Sequence, residues 1–261
     1  RGGTKIRSSR SNRFMEEKYR VQAIENLNAH NIGYLIVLGG DGSFKGMQKL
    51  SQESMGISFC GIPATIDNDI AGTEYCLGVD TALNVIRDAI DSIRDTASSF
   101  NRAFVIETMG RHCGYLALVS ALTSGAEMCL VPEIPYELEQ YQKTFLQQKR
   151  AGRKYFIAIV SEALNNTKQI SEWFESKIGV ESRAVVLGHI QRGGTPTVYD
   201  RLMAFNFVTH AIDSFLGESA CGVVCYSEGG FHLKNIEDVA FKTYQINPFL
   251  LRLAKEYGRQ R

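Results

Sequence analysis

Apolar positions along the chain alternate between two rhythms. Residues 19–29 set Val21, Ile24 and Leu27 at intervals of three, the spacing of one helix face. Next comes YLIVL at 34–38, a continuous β-rich run stopped by Gly39 and Gly40, which reads as a buried strand. The alternation then repeats. Helices are expected over 44–52, 81–95, 113–122, 137–150, 168–178 and 199–216, with a last one beginning near Pro248. Strands are expected over 57–61, 103–106, 128–131, 155–160, 184–187 and 222–226. The helix over 81–95 has a clear stripe in Ala82, Ile86, Ala89, Ile90 and Ile93. Repeated βα units give an α/β class with mostly parallel sheets covered by helices on both faces. Ligands in such sheets bind just past the C-terminal ends of the strands.

Composition narrows the function classes. With 261 residues there is room for two compact domains or one large α/β domain. Lys and Arg total 29 against 28 Asp and Glu, and a net charge of +1 sets up no long-range field for nucleic acid or an acidic membrane. No apolar run approaches the roughly 18 residues of a membrane span. The six cysteines are scattered through apolar stretches without a CxxC pair, which points to reduced thiols in the cytoplasm rather than a disulfide frame or a zinc site. The opening RGGTKIRSSRSNRF is polar and basic, lacks an apolar strand, and reads as a chain entered partway through a domain.

The residues past the strands carry the chemistry. Gly39-Gly40-Asp41-Gly42-Ser43 ends one strand and opens a helix. Glycines let backbone N–H groups approach phosphates, and a helix N-terminus favours negative charge. Asp41 would repel a bare phosphate but suits one neutralised by Mg²⁺. The same loop also reads as a tight turn capped by Asp, and taken alone it leaves both readings open. Gly40, Gly42 and Gly46 space as GxGxxxG, one residue too long for a dinucleotide fingerprint. In Thr65-Ile66-Asp67-Asn68-Asp69, two carboxylates past a strand are costly unless solvated, paired or metal-bound. One of them can take a proton, and an Asx-turn loop is the plainer alternative.

Met109-Gly110-Arg111-His112-Cys113-Gly114 carries Arg111, a planar fork suited to phosphate. His112 and Cys113 are adjacent at a helix start and point in different directions, which argues against a thiol–imidazole dyad. Gly188-His189-Ile190-Gln191-Arg192-Gly193-Gly194 suits a second phosphate, with a satisfied structural histidine as the alternative for His189. Together the four loops equip a site for phosphoryl transfer between two phosphorylated ligands, where positioning and charge neutralisation supply most of the catalysis. There is no Walker A GxxxxGK[ST] and no protein-kinase HRD or DFG.

GGDGS at 39–43, PATIDND at 63–69, MGRHCG at 109–114 and LGHIQRGG at 187–194, in this order and spacing, resemble the phosphofructokinase family. The likeness runs from the opening RGGT almost to the C-terminus. It implies two Rossmann-like three-layer αβα domains with mostly parallel sheets and the active site between them. A nucleotide-binding domain would comprise 1–78 plus 191–241, and a sugar-phosphate-binding domain 79–190 plus 242–261. The implied reaction moves the ATP γ-phosphoryl group to the 1-hydroxyl of fructose 6-phosphate. Asp67 matches the general base and Asp41 the Mg²⁺-associated aspartate. Thr65 and Arg111 match groups beside the transferring phosphoryl. Met109, Gly110 and Glu162 match sugar contacts, and His189 and Arg192 match 6-phosphate ligands. Arg102 and Arg183 match arginines that reach the 6-phosphate from a neighbouring subunit. Arg10, Ser11, Gly40, Gly42, Ser43 and Gly46 match the nucleotide side.

The same resemblance bears on donor and regulation. Pyrophosphate users in the family carry an aspartate where this chain has Gly42 and a lysine where it has Ala64. An aspartate there would crowd and repel the ATP α-phosphate, so Gly42 favours ATP. Arg94, Gly125, Glu127, Arg153 and Lys154 match parts of an effector site for ADP or phosphoenolpyruvate, although Ala151 stands where the family often has lysine. Arg153 and Lys154 also read as a basic pair at a helix C-terminus. The implied assembly is a homotetramer. The family begins with a strand and a further Gly-rich loop, GGDxPGxN, which this sequence does not contain, and it has SEA at 161–163 in place of the usual SEG. A non-catalytic sugar-phosphate-binding subunit is the rival reading. Asp41, Asp67 and Arg111 together favour catalysis, because binding alone needs no general base.

Overall fold

The computed structural model describes the chain except residues 1, 5, 6, 10, 218–220 and 261, and leaves aside the side chains of 257–260. In chain order its first elements are α1 (Glu17–Ala29), β1 (Tyr34–Gly39), α2 (Asp41–Glu53), β2 (Ser58–Pro63), α3 (Val79–Phe100), β3 (Ala103–Thr108), α4 (Tyr115–Ser124) and β4 (Met128–Leu130). They are followed by α5 (Leu138–Arg150), β5 (Phe156–Ser161), α6 (Thr167–Trp173), β6 (Ser182–Val186), α7 (Val198–Leu216), β7 (Cys221–Ser227), β8 (Gly230–Asn235) and α8 (Pro248–Gln260). The chain divides into two compact units, Arg1–Asp80 with Thr195–Gln245 and Thr81–Gly194 with Ile246–Arg261. Among the described residues no helix is long and apolar enough to cross a membrane.

The first unit's sheet has the order β1-β2-β7-β8. β1 and β2 run parallel and in step, from Tyr34 opposite Ser58 to Gly39 opposite Pro63. Phe44 of α2 is fully buried and packs onto β2 at Gly61, where a Cβ would fall 2.7 Å from the Phe44 ring. α2 starts at Asp41 rather than at 44, because Gly40 takes the N-cap position and its carbonyl accepts the N–H groups of Ser43 and Phe44. Asp41 and Ser43 therefore lie on the first helical turn. The expected burial of β1 is not found: Tyr34 and Leu38 are 60% and 57% exposed. An apolar run of that kind signals a strand flanked on both sides, and among the described residues only β2 flanks this one.

β8 is an addition to the sequence reading. It pairs antiparallel with β7 through a two-residue turn at Glu228 and Gly229, whose φ values of 54° and 76° are those a tight hairpin requires. Phe231 anchors it, edge-on to Phe207 at 5.1 Å and stacked on His210 at 4.8 Å. Within the same unit a polar network ties the first turn of α3 and the segment before it to the start of α7. Thr197 Oγ1 donates to Asp80 at 2.5 Å, and buried Asp200 accepts the Gly78 N–H at 2.8 Å and the Tyr75 hydroxyl. Burial, reinforced by the bond to Asp200, pushes the Tyr75 hydroxyl well above its usual range, so it stays protonated.

The second unit's sheet has the order β4-β5-β3-β6, all parallel. β5 is buried along its whole length. One face packs on an aromatic cluster in which Phe145 of α5 meets Phe156 at 4.9 Å and Phe174 at 5.2 Å, while Trp173 lies 5.2 Å from Phe174. Such ring pairs add about 0.5–1.5 kcal/mol each beyond simple burial. The helix expected over 168–178 ends in one π turn, Phe174–Ile178, which leaves both of those residues buried before Gly179 turns left-handed. α4 begins at Tyr115, two residues later than expected, with Gly114 at its N-cap. All six cysteines are free, and burial pushes the Cys129 and Cys225 thiols up to about 12, so both are inert thiols at neutral pH.

Candidate active site

In the first unit the matched ends of β1 and β2 set the loop at 39–43 beside the loop at 64–69. A Cβ on Gly40 would lie 3.4 Å from Thr65 Cβ, and the Ala64 N–H donates to the Gly39 carbonyl at 2.9 Å. Asp41 is half-buried, with Oδ2 2.7 Å from Lys45 Nζ. Gly42 and Ser43 are exposed, and nothing lies within 4 Å of a Cβ placed on Gly42. Gly46 packs on Phe14, whose ring would be 3.3 Å from an added Cβ. Ser11 is exposed, and Arg10 lies outside the described residues.

Thr65 Oγ1 accepts the N–H of Asp67 at 3.3 Å, and Asp67 is 5% exposed. The frame behind Asp67 is Asn68, fully buried and left-handed with φ 52°. Its Nδ2 donates to the Glu74 carbonyl at 3.1 Å and its Oδ1 accepts the Cys76 N–H at 2.9 Å. Asn68 is not among the candidates drawn from sequence. Its signal there is the DND triplet, since Asn tolerates αL and hydrogen-bonds nearby backbone.

Asp41 offers one hard oxygen donor. Among the described residues no group of three or more His, Cys, Asp or Glu is placed to hold a metal ion. That donor set fits Mg²⁺ carried in on phosphate oxygens with several waters, held by a single protein carboxylate.

In the second unit the sugar-side candidates gather at the C-terminal ends of β3, β5 and β6. Gly110 has φ 142°, and a Cβ there would fall 2.2 Å from the Cys113 carbonyl oxygen, so the turn admits only glycine. Arg111 follows with φ 55°. A left-handed non-glycine residue costs about 1–2 kcal/mol. Glu162, on a 3₁₀ turn after β5, accepts the N–H of Gly110 at 3.1 Å and of Arg111 at 2.7 Å. Hydrogen bonds to a charged acceptor contribute about 1.5–3 kcal/mol each, so they outweigh the strain. Gln191, 1% exposed, accepts the Met109 N–H at 3.1 Å and donates to the Gly188 carbonyl at 3.0 Å, which ties the 188–192 turn to the Arg111 loop. Arg111, His189 and Arg192 are exposed; His112 is exposed and Cys113 buried, as expected for side chains that point apart.

Two candidates sit elsewhere. Arg102 precedes β3 and Arg183 lies in β6 opposite Phe104, so both are at the other end of the sheet from Arg111. Glu181 joins them, 2.8 Å from Arg102 Nε and paired with Arg183. The bond from Arg102 holds the Glu181 carboxyl below the usual carboxylate range.

The effector candidates form two neighbouring pairs around the turn between α4 and β4. Arg94 donates to the Ser124 carbonyl beside left-handed Gly125. Glu127, 5% exposed, accepts from Arg153 and from the Ile157 N–H at 2.7 Å, while Lys154 is exposed.

Comparison with known proteins agrees with this arrangement of loops. The family profile described as Phosphofructokinase matches residues 1–215. The ATP-dependent 6-phosphofructokinase of Sulfurovum sp. (strain NBC37-1) is 70% identical over 256 residues, 98% of this chain and 78% of that protein. The crystal structure of Pichia pastoris phosphofructokinase in the T-state superposes with a TM-score of 0.83 at 29% identity, covering 99% of this chain and 31% of that one. The pyrophosphate-dependent phosphofructokinase of Marinobacter aquaeolei gives a TM-score of 0.82 at 22% identity over 98% of this chain and 70% of that one, a likeness of fold alone. The profile takes in all four loops and the close relative spans nearly the whole sequence, so the chain belongs to the phosphofructokinase family.

Proposed function

We propose that this chain catalyses transfer of the γ-phosphoryl group of ATP to the 1-hydroxyl of fructose 6-phosphate, giving fructose 1,6-bisphosphate and ADP in glycolysis. The observation that carries this reading is Asp67. It is a buried carboxylate on a loop fixed by Asn68, beside a Gly-rich loop at a helix N-terminus. A binding module has no use for a base held in that place.

In this reading Asp67 takes the proton of the 1-hydroxyl, and Arg111 neutralises charge on the transferring phosphoryl with Thr65 alongside. Met109, Gly110 and Glu162 hold the sugar, and His189 and Arg192 its 6-phosphate. Arg10, Ser11, Gly40, Gly42, Ser43 and Gly46 hold the nucleotide. Asp41 would hold Mg²⁺, which when bound neutralises the donor's phosphate oxygens. The open space at Gly42 supports ATP over pyrophosphate. The first unit thus serves the donor and the second the sugar phosphate. The placement of Arg102 and Arg183 away from Arg111 supports their serving a neighbouring subunit of a homotetramer. ADP or phosphoenolpyruvate is the effector assigned to Arg94, Gly125, Glu127, Arg153 and Lys154, and the cytoplasm is the compartment.

The test is a coupled assay of fructose 1,6-bisphosphate formation with ATP and pyrophosphate supplied separately. ATP-dependent turnover that Asp67→Ala reduces by about 10²–10⁴-fold is the expected result. Turnover with pyrophosphate alone, or undiminished turnover in Asp67→Ala, refutes the reading.

A further inference from the structure

The backbone of the Arg111 loop is held by side chains from each of the three other strand ends of its sheet. Glu162 follows β5 and accepts the N–H groups of Gly110 and Arg111. Gln191 follows β6 and accepts that of Met109. Glu133 follows β4, and its Oε1 accepts the N–H of Gly114 at 2.8 Å. The family resemblance assigns Glu162 to the sugar and gives Glu133 and Gln191 no part.

Glu133 is built in closely. Gly114 is the N-cap of α4 and has no side chain to cap the helix. The Glu133 carboxylate instead accepts the N–H of the N-cap residue itself, as the glutamate of a capping box does, with a negative charge where the helix dipole favours one. A Cβ on Gly114 would lie 2.4 Å from Glu133 Oε2 and 2.5 Å from Val131 Cβ, so the glycine makes room for the carboxylate. Glu133 Oε2 is buried without a hydrogen-bond partner among the described residues. A buried unmade bond lowers stability, so stability alone does not account for an acidic residue here. Gln191 is equally committed, with both ends of its amide bonded and 1% exposure. Between these two anchors lie Gly110 and Arg111 with their positive φ angles, and the direction of the Arg111 side chain follows from that backbone.

We propose that Glu133 and Gln191 are positioning residues for phosphoryl transfer. They fix the two ends of the 109–114 loop and thereby aim the Arg111 guanidinium. This rests on the functional reading above.

The test takes the full protein with Glu133→Ala, Glu133→Gln and Gln191→Ala. A misplacement of about 1 Å can cost on the order of 10²-fold. Glu133→Ala and Gln191→Ala are therefore expected to lower kcat by about 10- to 100-fold, with KM for ATP unchanged within about twofold. Glu133→Gln retains an acceptor for Gly114 and is expected to recover to within about threefold of the parent. In an Arg111→Ala background, Glu133→Ala should add no more than about twofold, because residues that act through one another are not additive. A parental kcat in both folded alanine variants overturns the proposal, and so does a fully additive loss in the Arg111→Ala background. If Glu133→Ala does not fold, Gln191→Ala and its own cycle with Arg111→Ala decide the matter. Amide hydrogen exchange over 109–115 reads the clamp without turnover: it should quicken in Glu133→Ala but not in Glu133→Gln, and unchanged exchange in the alanine variant overturns the proposal. A parent that phosphorylates no fructose 6-phosphate refutes the functional reading, and the exchange result then decides the clamp by itself.

Discussion

The Glu162 carboxylate accepts the main-chain N–H of Arg111 at 2.7 Å, so a residue that the family resemblance assigns to the sugar also supports the residue assigned to the phosphoryl group. One oxygen, Oε1, accepts the N–H groups of both Gly110 and Arg111. Glu162→Gln keeps an acceptor for the loop but loses the charge, whereas Glu162→Ala loses both. In steady-state kinetics the alanine variant is expected to lower kcat/KM for fructose 6-phosphate by about 10²-fold and the glutamine variant by about tenfold. Equal values for the two variants would mean that the carboxylate acts on the sugar alone.

Gly42 tests the donor. It is exposed, with nothing within 4 Å of a Cβ placed there, so an aspartate fits without displacing a neighbour. Its charge would lie on the first turn of α2 beside Asp41, at the helix N-terminus proposed to meet the ATP phosphates. Gly42→Asp is expected to leave the melting temperature within about 2 °C of the parent and to raise KM for ATP at least about tenfold, the scale of one unfavourable charge contact. A KM for ATP left at the parental value would remove Gly42 from the nucleotide site.

Much of this is legible in local sequence. The helix over 81–95 and the strands at 103–106 and 155–160 are evident from periodicity, because each is buried against neighbours that the pattern itself implies. The four loops are legible as well, since strand, glycine and charged residue occur together within a few positions. What escapes depends on partners far away in sequence. Gln191 touches Met109 across 82 residues, and Glu133 bonds the N-cap residue Gly114 across 19. No window of sequence holds both ends of such a bond. The exposure of β1 escapes for a related reason: an apolar run reports the burial a strand can sustain, and the number of neighbouring strands decides how much it receives. β8 escapes because its anchor, Phe231, packs on Phe207 and His210 of a helix that precedes it, while its own alternation is short.

Arg183 and Asp67 permit a complementation test of the shared-site reading. Arg183 pairs with Glu181 and lies 3.9 Å from Glu175, at the opposite end of the sheet from Arg111. Arg183→Ala alone is expected to raise KM for fructose 6-phosphate about tenfold or more, the loss of one charge-assisted contact. Asp67→Ala alone is expected to lower turnover by about 10²–10⁴-fold. Co-assembled hybrids of the two should regain parental-type affinity in the sites where an intact Asp67 meets an intact Arg183 from another subunit. A mixture whose activity is the plain sum of its parts would place Arg183 outside the site.

The contact between α1 and α2 makes stability depend on pH in a direction that can be derived. Arg20 is 6% exposed, and its guanidinium forms a fork on Glu53, with Nε at 2.8 and 2.9 Å and the NH2 group at 2.6 Å. Its remaining amino group donates to the carbonyls of Phe14 and Met15. The bond from Arg20 holds the Glu53 carboxyl below its usual range. A carboxyl whose folded value is depressed stabilises the fold fully above its unfolded value of about 4.3, and that contribution disappears as pH falls through the lower folded value. Glu53→Gln carries no such dependence. Thermal melts at pH 7 should therefore show Glu53→Gln below the parent by a few degrees, about 2–6 °C. The gap should narrow progressively below about pH 4, where the parent also takes up the proton. A gap that stays constant down to about pH 2 would mean that the pair contributes through shape and neutral hydrogen bonding rather than through charge.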